Sequence, residues 1–132
     1  MIVNVSTVPF WLAMILLPRS AITRRLVSAV TPLYTTLGVA YTAFLATALA
    51  TGDERVDFSD PDSVMRAFQI PEGMLAGWTH YIVFDLFVGR WIWETGLEQG
   101  RPARLSLLLT WWAGPLGLTL FLNRRRLPAA LG

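Results

Sequence analysis

Residues Val27–Ala50 form an uninterrupted run of 24 residues without a charged side chain. An α-helix needs about 20 apolar residues to cross the hydrocarbon core of a bilayer. A segment inside that core must be helical, because no water is present there to satisfy its peptide groups. The whole chain is 54% hydrophobic and 15% charged, whereas a soluble domain carries roughly 25% charged residues. The sequence therefore predicts an all-α integral membrane protein.

Three further apolar segments approach the length of a membrane span. We predict one transmembrane domain over residues 1–132, built as a bundle of four transmembrane helices. The predicted spans are residues 2–17, 27–50, 74–93 and 105–122.

The connection over residues 51–72 is long and acidic, and Asp53 and Glu54 open its acidic part. Asp60-Pro61 within it is typical of a helix N-cap followed by proline at the first helical position. The apolar residues that follow predict a short amphipathic helix on the membrane interface, ended by Pro71 and Gly73. Residues 18–25, in contrast, are predicted to be a short basic loop.

All eleven basic residues are arginine. The predicted spans place five of them on each side of the membrane, and Arg90 favours a cytoplasmic location for residues 18–26 and 94–104 under the positive-inside rule. The first side carries Arg19, Arg24, Arg25, Arg101 and Arg104, and the second carries Arg55, Arg66, Arg124, Arg125 and Arg126.

Asp85 lies near the middle of the third predicted span, in the stretch WTHYIVFDLFVGR of residues 78–90. An ionisable group at the centre of a bilayer costs about 2.5–3.5 kcal/mol on insertion scales. Such groups are retained where they face a bundle interior, a partner or a ligand. We therefore expect Asp85 to be either protonated or paired with another group.

A straight helix over the third span has two polar faces. Trp78, Tyr81 and Gly89 fall on the face of Asp85, and the opposite face carries the remaining ionisable groups, His80, Arg90 and Glu94. His80 and Asp85 therefore cannot pair within one straight helix. Arg90 and Glu94, in contrast, are four residues apart and can form an ion pair.

The second span offers partners for Asp85. Tyr34, Gly38 and Tyr41 share one stripe of its helix, and a tyrosine hydroxyl from it is predicted to reach Asp85. A second stripe of threonines and Gly38 is suited to hydrogen bonds between helices or to helix packing alone. Trp78 is a candidate for lining a pocket, whereas the other tryptophans at span ends are typical of interface residues; they are Trp11, Trp91, Trp93, Trp111 and Trp112.

Several chemistries are excluded by composition. The chain has no cysteine and one histidine, so thiol catalysis and multi-histidine metal sites are excluded. No glycine-rich phosphate-binding motif is present. A net charge of +2 does not indicate nucleic acid as a partner.

Three motifs carry a resemblance to a known family. PFWLAMILLP (residues 9–18), GWTHYIVFDLFVGRWIW (residues 77–93) and GPLGLTLFL (residues 114–122) resemble the abscisic-acid-deficient-four-like family, whose plant member is needed for neoxanthin synthesis. The resemblance implies a small multi-span membrane protein with a carotenoid as ligand or substrate and no other cofactor. His80, Asp85, Gly89 and Arg90 match the polar motif of the family.

The resemblance also implies a reaction. Opening a carotenoid 5,6-epoxide to an allene needs an acid for the epoxide oxygen and a base for a proton of the polyene end. A protonated Asp85 suits the acid role and His80 suits the base role, if the helix bends at Gly77 or Gly89 or if a second chain contributes a residue. The expected ligand-binding residues are Trp78, Tyr81, Gly89, Arg90, Tyr34 and Tyr41.

Three functions remain open. The first is an isomerase-like, carotenoid-modifying membrane protein. The second is a non-catalytic carotenoid- or lipid-binding subunit of a larger membrane complex, for example a photosynthetic one. A small transporter ranks last. Expected partners are membrane lipid, a carotenoid, and other membrane subunits or further copies of the chain, in a bacterial inner membrane or a photosynthetic membrane.

Overall fold

A computed structural model describes residues 2–52 and 55–124 of the chain. Asp53 and Glu54 of the acidic connection, and Arg125 and Arg126 of the basic cluster, lie outside the described residues. All regular elements of the described part are helical, which confirms the all-α prediction. The helices are α1 (Ile2–Leu16), α2 (Ala21–Ser28), α3 (Thr31–Thr51), α4 (Pro61–Ala67), α5 (Pro71–Glu98) and α6 (Arg104–Asn123).

The prediction of four membrane-spanning helices is wrong in number. Two helical stretches, Ala21–Thr51 and Arg104–Asn123, are long and apolar enough to cross a membrane. Helix α1 has 15 residues and measures about 22 Å at 1.5 Å per residue, short of the roughly 30 Å hydrocarbon core. Helix α5 has 28 residues, but Asp85, Arg90 and Glu94 interrupt its apolar sequence.

The predicted loop over residues 18–25 is wrong in its second half, because α2 begins at Ala21 and runs to Ser28. Ser20 caps this helix, because its hydroxyl accepts a hydrogen bond from the Ile22 N–H at 3.2 Å. Thr23 and Val27 are buried on one face and the arginines between them are exposed. The helix is therefore amphipathic, and the apolar helix after it begins at Thr31 instead of Val27.

Helix α4 begins as the sequence predicts. The Asp60 carboxylate accepts hydrogen bonds from the N–H groups of Asp62 (3.1 Å) and Ser63 (3.2 Å), and Pro61 occupies the first turn. The predicted end is wrong, because Pro71 starts α5 and Gly73 lies inside α5. A Cβ at Gly73 would collide with the Ala67 carbonyl oxygen, so glycine permits a close approach here. The interfacial position of α4 stays a prediction.

The chain divides into two compact units. The first unit comprises the described residues of Met1–Val30 and Phe84–Gly132. Its core contains Trp11, whose ring stacks on Trp111 with 6.0 Å between centroids. Trp93 is also buried and donates from Nε1 to the Pro18 carbonyl at 2.9 Å. The prediction that Trp11 and Trp93 are interface residues is therefore wrong, since packing within this unit buries both.

The second unit is Thr31–Val83, with α3, α4 and the beginning of α5. Only Leu37 and Ala48 of α3 are buried. The threonine hydroxyls on α3 bond to carbonyls one turn earlier, for example Thr42 Oγ1 to the Gly38 carbonyl at 2.9 Å. Thr35 and Thr42 of the predicted polar stripe therefore satisfy their hydroxyls within their own helix.

Candidate functional site

An apolar cavity of about 260 Å³ lies in the second unit. Helices α3, α4 and α5 and the connection between α3 and α4 line it. Tyr41 and His80 are the lining residues whose side chains can form hydrogen bonds, and the rest of the lining is apolar or glycine. We define this space as the apolar cavity.

Tyr41 and His80 lie next to each other at this cavity. Their ring centroids are 5.7 Å apart and the rings are tilted by 48°. The Tyr41 side chain is half-buried and His80 is more exposed. The cavity therefore presents one imidazole and one phenol side by side in an otherwise apolar lining.

Phe68, which follows α4, forms one wall of the apolar cavity. Its ring packs directly on Gly77 of α5, where a Cβ would collide with the ring. Phe68 and Gly77 also line an open groove on the second unit, together with Met74, Trp78 and Tyr81. The Trp78 and Tyr81 rings lie 5.8 Å apart in that groove. The apolar cavity and the aromatic groove therefore meet at Phe68.

A more polar cavity of about 290 Å³ adjoins the apolar one and shares Ala48, Val56 and Ala67 with it. Its own lining includes Arg55, Arg66 and Ser63. The second unit can therefore accommodate a molecule with an apolar body and a polar end. Arg55 and Arg66 are not among the predicted site residues, because both lie in a predicted connection whose path the apolar periodicity does not define.

Asp85 lies in the first unit, beside a break in α6. Ala113 has non-helical backbone angles (φ −152°, ψ 77°), and Pro115 follows. The Asp85 carboxyl packs against Gly114, where a Cβ would collide with it. Proline lacks an N–H and cannot continue the hydrogen-bond pattern of the helix. Gly114 and Pro115 thus create a gap in α6 that the Asp85 side chain approaches closely.

The two remaining motif residues of α5 also lie in the first unit. Arg90 Nε donates to Glu94 Oε1 at 2.8 Å, which confirms the predicted ion pair. Gly89 is buried against the Trp11 ring, where a Cβ would collide. Gly89 therefore permits close packing of the Trp11 ring, and its ligand-binding role stays a prediction.

The predicted site residues thus fall into two groups. His80, Tyr41, Trp78 and Tyr81 are brought together around the apolar cavity and its groove, and half-buried Tyr34 also belongs to the second unit. Asp85, Gly89 and Arg90 belong to the first unit. A bond between a tyrosine of α3 and Asp85 stays a prediction, as do the catalytic and ligand-binding roles. Phe68 and Gly77 were missed as lining residues, because their contact depends on tertiary packing.

Comparison with known proteins gives two matches. The model of a family described as ABA DEFICIENT 4-like matches residues 1–121. A curated protein, "Protein ABA DEFICIENT 4, chloroplastic" of Arabidopsis thaliana, is 26% identical over 119 residues, covering 86% of this chain. The match covers 54% of that protein, so the chain spans about half the length of this relative. No solved structure matches the chain.

Proposed function

The chain belongs to the ABA DEFICIENT 4-like family, as its motifs indicated, and on that premise we propose that it binds a carotenoid and isomerises one of its cyclic end groups. The observation that carries the proposal is the pairing of His80 and Tyr41 at an otherwise apolar cavity. A polyene with a ring at its end is the ligand that the family resemblance implies.

The size of the apolar cavity suits part of such a ligand. Its 260 Å³ is somewhat below the roughly 300–1,000 Å³ of pockets that enclose a drug-sized molecule. One end group would occupy it, and the polyene would leave past Phe68 along Trp78 and Tyr81. Aromatic side chains favour such an extended π-system by stacking on it.

The proposed reaction needs two proton transfers and no redox partner. A proton is added to the epoxide oxygen. The bond between this oxygen and the ring carbon attached to the polyene breaks, and its electron pair stays on the oxygen. A proton leaves the adjacent polyene carbon, and its C–H electron pair forms the second double bond of the allene. His80 is the proposed base, and Tyr41, beside it at the apolar cavity, is the proposed acid. A catalytic role for Asp85 stays a separate prediction.

A membrane location is part of the proposal. The two long apolar helical stretches and the many exposed large apolar side chains support it, since lipid would cover surfaces that water does not. A carotenoid dissolved in the membrane would reach the apolar cavity laterally. The predicted bacterial membrane finds no support in the comparisons, and the proposal does not depend on it. Further subunits or copies of the chain stay predictions.

The test is coexpression of the chain in cells that make epoxidised carotenoids, followed by chromatography of the pigments. We expect a new isomeric pigment of unchanged mass with the wild type and its loss with His80→Gln. Comparison of Asp85→Asn with Tyr41→Phe identifies the acid. An unchanged pigment profile across several pigment backgrounds would contradict the catalytic proposal.

A matched pair of variants tests the cavity itself. Ala48 is buried and lines the apolar cavity, whereas Ala46 is exposed on the same helix. Ala48→Phe fills the cavity and should abolish formation of the new pigment. Ala46→Phe adds the same group outside the cavity and should leave pigment formation unchanged. Equal effects of the two substitutions would place the ligand elsewhere.

The second candidate function is carotenoid binding without catalysis. The predominantly apolar lining of the cavity favours it, because binding alone requires no proton transfer. Under this alternative, pigment stays bound to the purified chain, Ala48→Phe removes the pigment, and coexpression produces no new isomer. His80→Gln then changes the absorption spectrum of the complex without changing the pigment composition of the cells.

A further inference from the structure

The first unit contains a positively charged cavity, in contrast to the apolar cavity of the second unit. It has a volume of about 480 Å³ and lies where α1 ends, where α6 begins and along the last turns of α5. Arg19, Arg101 and Arg104 line it, and Trp93 and Leu107 form an apolar wall. Among the residues that the structure describes, no aspartate or glutamate belongs to the lining. We define this space as the arginine cavity.

The positive charge at this cavity is not neutralised by carboxylates. Over residues 2–52 and 55–124, none of the three arginines comes within ion-pair distance of an acidic side chain; the ion pairs seen involve Arg66 and Arg90. Three guanidinium groups around one space repel one another unless an anion lies between them. The arrangement therefore offers an anion a positively charged site.

Arg101 is held in position by neighbours that do not cancel its charge. Its Nη2 donates to the Phe121 carbonyl at 2.8 Å, and its guanidinium carbon lies 4.5 Å from the Phe121 ring centroid. Arg104 makes a single long contact of 3.5 Å to the Leu16 carbonyl. Most donors of Arg104 and of Arg19 therefore remain available to a ligand.

The beginning of α6 adds to the positive potential. This helix starts at Arg104, and its N-cap Ala103, a lining residue, provides no capping side chain. The first N–H groups of a helix carry partial positive charge and favour anions. Guanidinium donors, one of them held by Phe121, and a helix N-terminus at one cavity match the oxygen atoms of a phosphate group.

We propose that the arginine cavity binds a phosphate group, of the kind carried by an anionic phospholipid or free in solution. Trp93 and Leu107 offer apolar contact to the glycerol and first acyl carbons of a lipid, which favours the lipid as the source. This site is separate from the carotenoid proposal, since its residues lie in the first unit and none of them lines the apolar cavity.

The test uses the purified full chain in detergent. Native mass spectrometry compares retention of dioleoylphosphatidylglycerol with dioleoylglycerol, which has the same acyl chains and no phosphate. A thermal unfolding series with inorganic phosphate tests the free anion. Arg19→Gln and Arg104→Gln should each weaken binding about tenfold, the loss expected for a charged hydrogen bond. Arg25→Gln is the control, because it removes the same charge from an exposed position outside the cavity.

The outcomes separate the two sources. Retention of phosphatidylglycerol, weakened by Arg19→Gln and Arg104→Gln but not by Arg25→Gln, supports a lipid headgroup. Stabilisation by inorganic phosphate with the same dependence, without lipid retention, supports a free phosphate. Equal retention of both lipids with no effect of phosphate overturns the proposal, as do equal losses in all three variants. Near-ultraviolet circular dichroism checks that each variant is folded.

Discussion

The two units of the chain differ in what they bury and in what they leave open. The first unit buries aromatic side chains, with Trp11 at 2% exposure and Phe121 at 0%. The second unit buries mainly small or aliphatic residues, and α3 is largely exposed. Its cavity is apolar with one imidazole and one phenol, whereas the cavity of the first unit carries three arginines.

This difference indicates that the two units of the chain have different roles, one in stability and the other in binding. Burial of apolar surface stabilises a fold by about 25 cal/mol per Å², so the aromatic core of the first unit contributes most of the packing energy. The second unit leaves its apolar surface available, which lipid or a carotenoid can cover. Stability should therefore depend on tryptophans of the first unit, and pigment binding on aromatic residues of the second.

The largest expected effect comes from the core of the first unit. Trp11→Ala removes a fully buried indole that contacts Trp111 and Gly89. We expect it to lower the free energy of unfolding by about 3–5 kcal/mol, measured by thermal or denaturant unfolding in detergent. Trp112→Ala is the matched control, since Trp112 is 77% exposed and its loss should change stability by less than about 0.5 kcal/mol.

The same unfolding measurement on the second unit tests whether its aromatic residues contribute less to stability than those of the first. Trp78→Ala should cost much less unfolding free energy than Trp11→Ala, because the Trp78 side chain is partly exposed. Trp78→Ala should instead weaken pigment retention, since Trp78 lines the aromatic groove. If Trp78→Ala destabilises the fold as much as Trp11→Ala, the proposed division between packing and binding is wrong.

Clean apolar runs made much of the fold predictable from the sequence. The fourth predicted span, residues 105–122, differs from α6 (Arg104–Asn123) by one residue at each end, because arginine and asparagine bound the run. Helix α2 was missed, since an eight-residue amphipathic helix has too few apolar positions to be separated from a basic loop. Gly73 was misread as a helix end, because its purpose, contact with Ala67, exists only after folding.

The candidate site was predictable where it depends on one helix and not where it depends on several. The motif at residues 77–93 identified His80, Trp78 and Tyr81 as candidate site residues of one helix, although it placed His80 on the opposite face. The Phe68–Gly77 contact and the Asp85–Gly114 contact join different helices. Helical periodicity defines the faces of a helix but not which residue of another helix covers a face. The arginine cavity has the same origin, as its lining combines the end of α1 with residues 93–107, far away in the sequence.

The next largest effect on stability is expected at the contact between Gly114 and Asp85 in the first unit. Gly114→Ala places a methyl group against the Asp85 carboxyl. Overpacking of this kind typically costs about 1–3 kcal/mol, which a thermal unfolding measurement would detect. Gly38→Ala is the control, because nothing lies within 4 Å of a Cβ built there, and alanine at this helical position of α3 should stabilise by about 0.5–1 kcal/mol.

A double variant tests whether the contact between Gly114 and Asp85 causes the loss of stability in Gly114→Ala. Combining Gly114→Ala with Asp85→Ala should recover part of the stability that Gly114→Ala loses, since the colliding carboxyl is then absent. Additive effects of the two substitutions would mean that the Asp85 side chain moves aside freely. In that case Asp85 does not occupy the break in α6 as a fixed structural partner.

A smaller effect is expected at Trp93, in the wall of the arginine cavity. Trp93→Phe keeps an aromatic ring but removes the hydrogen bond from Nε1 to the Pro18 carbonyl. We expect a loss of about 1 kcal/mol in unfolding free energy, together with weaker phosphate binding if Pro18 and Arg19 lose their position. Trp91→Phe is the matched change at a more exposed tryptophan outside the cavity. Equal effects of the two substitutions would show that the Trp93 hydrogen bond contributes nothing measurable.

The smallest expected effect lies in the connection that lines the apolar cavity through Val56 and Phe58. The pKa of Asp57 is lowered below 3.8 by hydrogen bonds from the Ser59 hydroxyl, the larger cause, and from the Ser59 N–H. Ser59→Ala should therefore raise the pKa of Asp57 toward 3.8, measured by NMR titration of its carboxyl carbon, with Asp57→Asn identifying the resonance.

The sign of the effect on stability follows from the lowered pKa of Asp57. The ionised carboxylate holds the turn above about pH 4, and its contribution is lost as the pH falls through the folded-state pKa, which lies below 3.8. Wild type and Ser59→Ala should therefore differ slightly in unfolding temperature near neutral pH and converge in acid. Pigment retention should weaken over the same acidic range, because Val56 and Phe58 flank Asp57. If the pigment affinity stays constant through that range, the turn at Asp57 does not contribute to pigment binding. The lining residues of α3 and α5 would then determine it.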